Sequence, residues 1–285
     1  MSEEFDIGSL VRIDGRHYTI EKVMRGGMGL VLLCSAVNES DSIVYRNKLA
    51  AKVFFPGQDT HQMRGELQLW QGLRHINIAP LLAVGHVNDW LCASMPWFQD
   101  GAISASNLRD NGGPALVQQM LRQVCLALDY AFKEHRVLHL DIKPANVLMR
   151  AGHFVVADWG IAKFSARTAL NKGPLSGGTL PYMSPERFLR EPTSAVADIY
   201  SVGMTAFEML TGLLPFSESS AEEMAYGITS GRVSMRLIEA SKQLPRNWGN
   251  LVFQCCAYEA SSRPQSYQSV QNMIETLEVQ HVRLV

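Results

Sequence analysis

Apolar runs of strand length crowd the first third of this chain, and apolar faces with helical spacing fill the rest. His17 to Met24 and Leu30 to Ser35 read as strands on either side of Gly26-Gly27-Met28-Gly29. Leu49 to Phe55 is a third run, after the polar loop Asn38 to Asn47, and runs near Ala79 to Val84 and Trp90 to Met95 complete a small sheet. Between them Met63, Leu67 and Trp70 recur at i, i+4, i+7, which predicts a helix. Beyond Pro96, the residues Val117, Met120, Leu121, Val124 and Leu128 mark one face of a long helix, with Pro114 suited to its first turn. Ile199, Val202, Ala206 and Leu210 mark another, stopped at Gly212, and Val270, Met273, Ile274 and Leu277 mark a last one. Strands first and helices later predict an α+β fold of two lobes. The smaller, mainly β, covers residues 1–96 with one helix; the larger, mainly α, covers 97–285, joined near Pro96-Trp97. A cleft between lobes is where pockets commonly form.

Composition narrows the class. With 47% hydrophobic and 19% charged residues among 285, the chain reads as a globular protein with room for a sizeable core. A net charge of -1 gives no electrostatic footprint for nucleic acid, and no basic cluster suggests a membrane surface. The acidic start, Met1-Ser2-Glu3-Glu4-Phe5-Asp6, lacks the pattern of a signal peptide, and no apolar run approaches a membrane span. Cys34, Cys92, Cys125, Cys255 and Cys256 form no Cys-x-x-Cys pair, so reduced buried thiols in a cytoplasmic protein are expected. The eight histidines are scattered, which argues against a metal site built on them.

Chemistry concentrates in Val137-Leu138-His139-Leu140-Asp141-Ile142-Lys143-Pro144-Ala145-Asn146. Within ten residues a loop can converge a carboxylate, an ammonium and a side-chain amide. Phosphoryl transfer from a nucleotide needs those three: a proton acceptor, a cation for the transferring group and a metal ligand. Arg25-Gly26-Gly27-Met28-Gly29-Leu30-Val31 is a glycine-rich turn that lets backbone approach phosphate oxygens. It continues as a strand rather than a helix, unlike a dinucleotide-binding turn, and no Gly-Lys-Ser/Thr follows, which excludes a Walker-type loop. A glycine flap between two strands remains. Leu49-Ala50-Ala51-Lys52-Val53 sets a lysine inside an apolar strand, where an unpartnered ammonium is costly; Glu66 on the next helix is its expected partner. Val155-Val156-Ala157-Asp158-Trp159-Gly160 brings an aspartate out of a strand, suited to hold Mg²⁺ together with Asn146.

These elements, with Leu73-Arg74-His75-Ile76-Asn77-Ile78 and Gly178-Thr179-Leu180-Pro181-Tyr182-Met183-Ser184-Pro185-Glu186, occur in order over residues 17 to 280. Together they resemble a eukaryotic-type protein kinase domain of the bacterial Ser/Thr kind. The resemblance implies a bilobal kinase-like fold and transfer of the γ-phosphoryl of ATP, with Mg²⁺ or Mn²⁺, to Ser/Thr hydroxyls of proteins, autophosphorylation included. It further implies that Lys52 contacts phosphates and Glu66 anchors it. Asp141 takes the substrate proton, Lys143 stabilises the γ-phosphoryl, and Asn146 and Asp158 hold the metal. Arg25, Gly26, Gly27, Met28 and Gly29 would cover the phosphates, and Val31, Ala50, Met95 and Leu148 would border the adenine. His139, Asp198 and a Glu186–Arg263 pair are expected to brace the larger lobe. The chain ends about where the resembled domain ends, so regulation is expected from loops, a dimer contact or a partner in trans.

Three positions depart from the family pattern. Met24 stands where the first flap glycine is usual, which implies weakened nucleotide binding. Leu140 replaces the arginine that reads an activation-loop phosphate, so alanine at Ser165, Thr168 and Ser176 is expected to leave basal transfer intact; Lys163, Arg167 and Lys172 are the alternative cations. Trp159 replaces a phenylalanine and adds an N–H that wants a partner. These departures keep a second reading in view, a nucleotide-binding scaffold of the pseudokinase type. A third, a small-molecule kinase, is disfavoured by Tyr182 to Glu186, Asp198 and Arg263.

Overall fold

A computed structural model describes residues 5–26, 29–37, 48–55, 60–159, 163–164, 179–216 and 220–277. Gly27, Met28, Asn38 to Asn47, Gly160, Ser165, Arg167, Thr168, Lys172, Ser176 and Gly178, all named from the sequence, lie outside that set. The chain forms two compact units. One comprises residues 1–74 and 79–99, the other 75–78 and 100–285.

The smaller unit is an antiparallel sheet of β1 (Leu10–Ile13), β2 (Arg16–Gly26), β3 (Gly29–Ala36), β4 (Lys48–Phe54), β5 (Ala83–Val87) and β6 (Trp90–Pro96), in the order β1-β2-β3-β4-β6-β5. Side chains alternate along a strand and opposed residues share a face, so the register sorts the sheet. Leu30, Leu32, Cys34, Leu49, Ala51, Val53 and Cys92 fall on one face and join Phe5, Val11, Ile13 and Ile20 in a buried core. The edge-on contact of Phe5 with Trp90, ring centroids 5.5 Å apart, closes that core. The opposite face carries Met24, Val31, Ala50, Lys52 and Met95, through the pairs Met24–Val31, Val31–Lys52 and Ala50–Met95. One slip of register would exchange the two sets, so core burial fixes which residues the other face presents.

Helix α1 (Thr60–Gly72) follows β4 and buries Leu67 and Trp70, whose indole donates to the Ala79 carbonyl at 2.7 Å. Met63, on the same expected stripe, is only half-buried. The strand expected near Ala79 to Val84 begins later, at Ala83. Pro80 has no N–H for a ladder, and the first bond of this stretch to the sheet is Leu82 N–H to the Ser94 carbonyl at 2.8 Å. The short β1 escaped the sequence reading because Leu10 faces solvent and only Val11 and Ile13 are buried.

The larger unit is mainly helical: α2 (Ala105–Asn111), α3 (Gly113–His135), α4 (Pro185–Phe188), α5 (Ala195–Thr211), α6 (Ala221–Thr229), α7 (Arg232–Ser241), α8 (Arg246–Cys255) and α9 (Tyr267–Glu275). The long helix α3 buries the expected stripe from Val117 to Leu128 and has Pro114 in its first turn. It packs against α5, α9 and the hairpin of β8 (Val147–Arg150) with β9 (His153–Val156). Helix α5 is buried on nearly all sides and stops at Gly212, whose φ of 73° is the left-handed turn that favours glycine. The expected last helix is α9. Helices α2, α4, α6, α7 and α8 were not anticipated. In α7 only Val233 and Leu237 are buried apolar positions, while the apolar Met235 and Ile238 are exposed, so the sequence pattern does not mark one face.

Candidate active site

The loop that joins the two-residue strand β7 (Val137–Leu138) to β8 is held by one buried carboxylate. Asp198 on α5 accepts the amides of His139 at 2.9 Å and Leu140 at 2.7 Å, and the Tyr267 hydroxyl at 3.1 Å. His139 continues the brace. Its Nδ1 accepts the Asp141 amide at 3.1 Å and its Nε2 lies 3.0 Å from the Ala157 carbonyl, which fixes the proton on Nε2. Complete burial lowers its pKa, against the opposing pull of Asp198, Asp141 and Asp158, so the ring is held neutral.

Asp141 is the hub. Its Oδ2 accepts from the Lys143 ammonium at 2.7 Å and from Asn146 Nδ2 at 2.9 Å. Its Oδ1 accepts from the Thr179 amide at 3.0 Å and the Thr179 hydroxyl at 3.2 Å. Lys143 also donates to the Thr179 hydroxyl. Asn146 Nδ2 donates again to the Asp141 carbonyl at 2.8 Å. Two acceptors on one nitrogen orient the amide and leave Asn146 Oδ1 as an acceptor, the hard oxygen a Mg²⁺ ion takes. Asp158 follows β9 with a φ of 60°, and the Ala157 amide before it donates to the Asn146 carbonyl at 2.8 Å. The two segments expected to hold metal are therefore tied together. Among the described residues no group of three or more His, Cys, Asp or Glu could hold an ion by itself. Two protein oxygens supplemented by phosphates is how Mg²⁺ is usually held, so the donor set fits.

Leu148, half-buried on β8, lies in this larger unit. The remaining expected residues belong to the smaller one. Lys52 is 8% exposed, with its ammonium 5.4 Å from the Phe54 ring centroid. Glu66 is half-buried on α1, and neither Lys52 nor Glu66 lacks a partner. Arg25 and Gly26 end β2, and Gly29 opens β3 opposite Phe54. A Cβ on Gly29 would stand 2.0 Å from the Val53 carbonyl oxygen, so the close approach of strands there requires glycine.

Trp159 is fully buried, stands edge-on to His139 with centroids 4.6 Å apart, and donates its N–H to the Val156 carbonyl at 3.1 Å. Glu186 and Arg263 form a two-pronged pair at 2.8 and 2.9 Å. Two features were not read from the sequence. The Tyr182 hydroxyl donates to Glu208 and its carbonyl accepts from Ser201, which docks the turn after Thr179 on α5. Burial, then that hydrogen bond, raises the Tyr182 pKa, and burial also raises that of Glu208. Arg187 donates to the Leu140 carbonyl. No spacing rule links residues 47 apart, so this contact had no sequence signal.

Comparison with known proteins gives a consistent picture. A family model described as "Protein kinase domain" matches residues 18–274. The chain is 32% identical over 210 residues to mitogen-activated protein kinase kinase kinase ANP1 of Arabidopsis thaliana, covering 70% of this chain and 31% of that protein. It is 28% identical over 264 residues to the probable serine/threonine-protein kinase PknB of Lactococcus lactis, covering 91% of this chain and 41% of that protein. With serine/threonine-protein kinase PrkC of Bacillus subtilis it shares 29% identity over 222 residues, covering 75% and 33%. The chain thus spans less than half the length of each of these relatives.

Proposed function

The chain belongs to the protein kinase family, and from that premise we propose that it transfers the γ-phosphoryl group of ATP to serine or threonine hydroxyls of proteins, its own included. The observation that carries the reading is the Asp141 carboxylate, set between Lys143 and Asn146 of its own loop and Thr179 of a distant segment.

In this reading Asp141 orients the acceptor hydroxyl and takes its proton as the oxygen attacks phosphorus. Lys143, already beside that carboxylate, neutralises charge that develops on the transferring group. Lys52 binds the α- and β-phosphates and Glu66 holds its ammonium; Ala50, Val31, Met95 and Leu148 take the adenine, under the flap of Arg25 to Gly29. Asn146 and Asp158 hold Mg²⁺, for which Mn²⁺ can substitute, and the ion when bound screens phosphate charge. Ser/Thr specificity is supported by relatives whose names carry that activity. All five cysteines are free and buried, which suits a cytoplasmic protein, and no described helix is long and apolar enough to cross a membrane.

The test is transfer from labelled ATP with Mg²⁺ to a generic basic protein, wild type beside Asp141→Asn. Wild type should label serine or threonine, and the variant should be slower by about 10²–10⁴-fold. Nucleotide binding with no transfer in either would favour the scaffold reading, in which Met24, Leu140 and Trp159 have removed activity.

A further inference from the structure

Leu140 has an unusual backbone for its side chain. Its φ is +64°, a left-handed conformation that a branched apolar residue adopts only when its surroundings impose it. The side chain is 3% exposed, so nothing at this position reaches solvent to read a phosphate. The peptide is instead gripped at both ends. Asp198 takes the Leu140 N–H at 2.7 Å, and Arg187 donates to the Leu140 carbonyl. That carbonyl is bonded directly to the nitrogen of Asp141.

Arg187 reaches the loop from α4, one residue after Glu186, and is half-buried. Glu186 has both carboxylate oxygens on Arg263, so it is not the simple mate of its neighbour. Desolvation disfavours the Arg187 charge, while the fields of Asp198, Asp141 and Glu186 favour it. The guanidinium thus lies in the field of three carboxylates, one of them the proposed base and each of the other two engaged elsewhere. Thr179 meets the Asp141 carboxylate from the front of the same segment.

We propose that Arg187 is a positioning residue: by holding the Leu140 carbonyl it fixes the peptide plane before Asp141 and so the direction of that carboxylate. A guanidinium from the end of the segment thereby takes the place of one at position 140, and it acts on a backbone oxygen rather than on a phosphate. The proposal rests on Asp141 as the acceptor's base.

The experiment uses the full chain as wild type, Arg187→Gln, Arg187→Lys and Asp141→Asn. It measures steady-state transfer from ATP and amide hydrogen exchange across residues 137–146. Arg187→Gln should lower kcat by about tenfold or more with KM for ATP within about twofold, because ATP contacts are untouched. Its Leu140 and Asp141 amides should exchange faster. Arg187→Lys, which can still donate to the carbonyl, should recover both. Unchanged kcat and unchanged protection in Arg187→Gln overturn the proposal, as does a lysine variant as damaged in both as the glutamine one. If wild type transfers no faster than Asp141→Asn, the kinase reading fails separately. Exchange then still decides whether Arg187 holds the loop.

Discussion

Arg263 uses every N–H it has. Its Nε donates to the Ala257 carbonyl at 2.8 Å, Nη1 to Glu186 and to the Val196 carbonyl at 3.1 Å, and Nη2 to Glu186 and to the Tyr258 carbonyl at 2.9 Å. The side chain is 0% exposed and lies over the Tyr200 ring. Lysine would keep the charge and lose the planar fork, leaving carbonyls and a carboxylate underbonded in a dry site. Arg263→Lys should therefore cost about 2–4 kcal/mol, read from the urea midpoint of unfolding. A loss below about 0.5 kcal/mol would show the network to be dispensable. The sequence pointed to this pair through the family pattern alone, because residues 77 apart share no periodicity. Its Coulombic logic, with each of the five donors satisfied, was legible only once the carbonyls were placed.

Elements with strong periodicity were readable and those with mixed faces were not. Helix α3 announces itself by a long buried stripe and α5 by being apolar nearly all round, whereas in α7 the exposed apolar Met235 and Ile238 obscure the buried Val233 and Leu237. Strands β2 and β3 carry a consequence of their own. Met24 pairs with Val31 and so shares the sheet face of Ala50, Lys52 and Met95, the face proposed to meet the nucleotide. A thioether side chain at that place takes up volume next to Val31. Met24→Gly should bind ATP about two- to tenfold more tightly, measured by equilibrium titration. Weaker or equal binding would mean that Met24 does not crowd the nucleotide.

For the molecule as a whole, acid should be destabilising through its buried histidines. His139 is fully buried and His75 partly so, and burial lowers both pKa values from the usual 6.5. The unfolded chain takes up those protons below about pH 6.5 while the folded chain does not, so stability present above that pH is lost as pH falls. His139 contributes a slope of at most about 1.4 kcal/mol per pH unit, and the more exposed His75 less, because solvent screens it. Glu208, its carboxyl raised by burial, acts with the opposite sign and nearer the carboxylate range. Unfolding free energies at pH 7.5, 6.5 and 5.5 should thus fall in that order, and a flat or rising series would contradict neutral burial of His139. The division into strands first and helices later was visible from composition along the chain. The hub at Asp141 was visible as residue types, but its hydrogen-bond directions were not, since they depend on Asp198 and Thr179 from distant segments.

The hydroxyl of Tyr267 on Asp198 reaches farther than a single bond suggests. It makes the start of the last described helix part of the same anchor that fixes the amides of His139 and Leu140. Anyone trimming this protein from its C-terminal side therefore meets a limit at Tyr267, because removing it strips a ligand from the carboxylate on which the loop after Leu138 hangs.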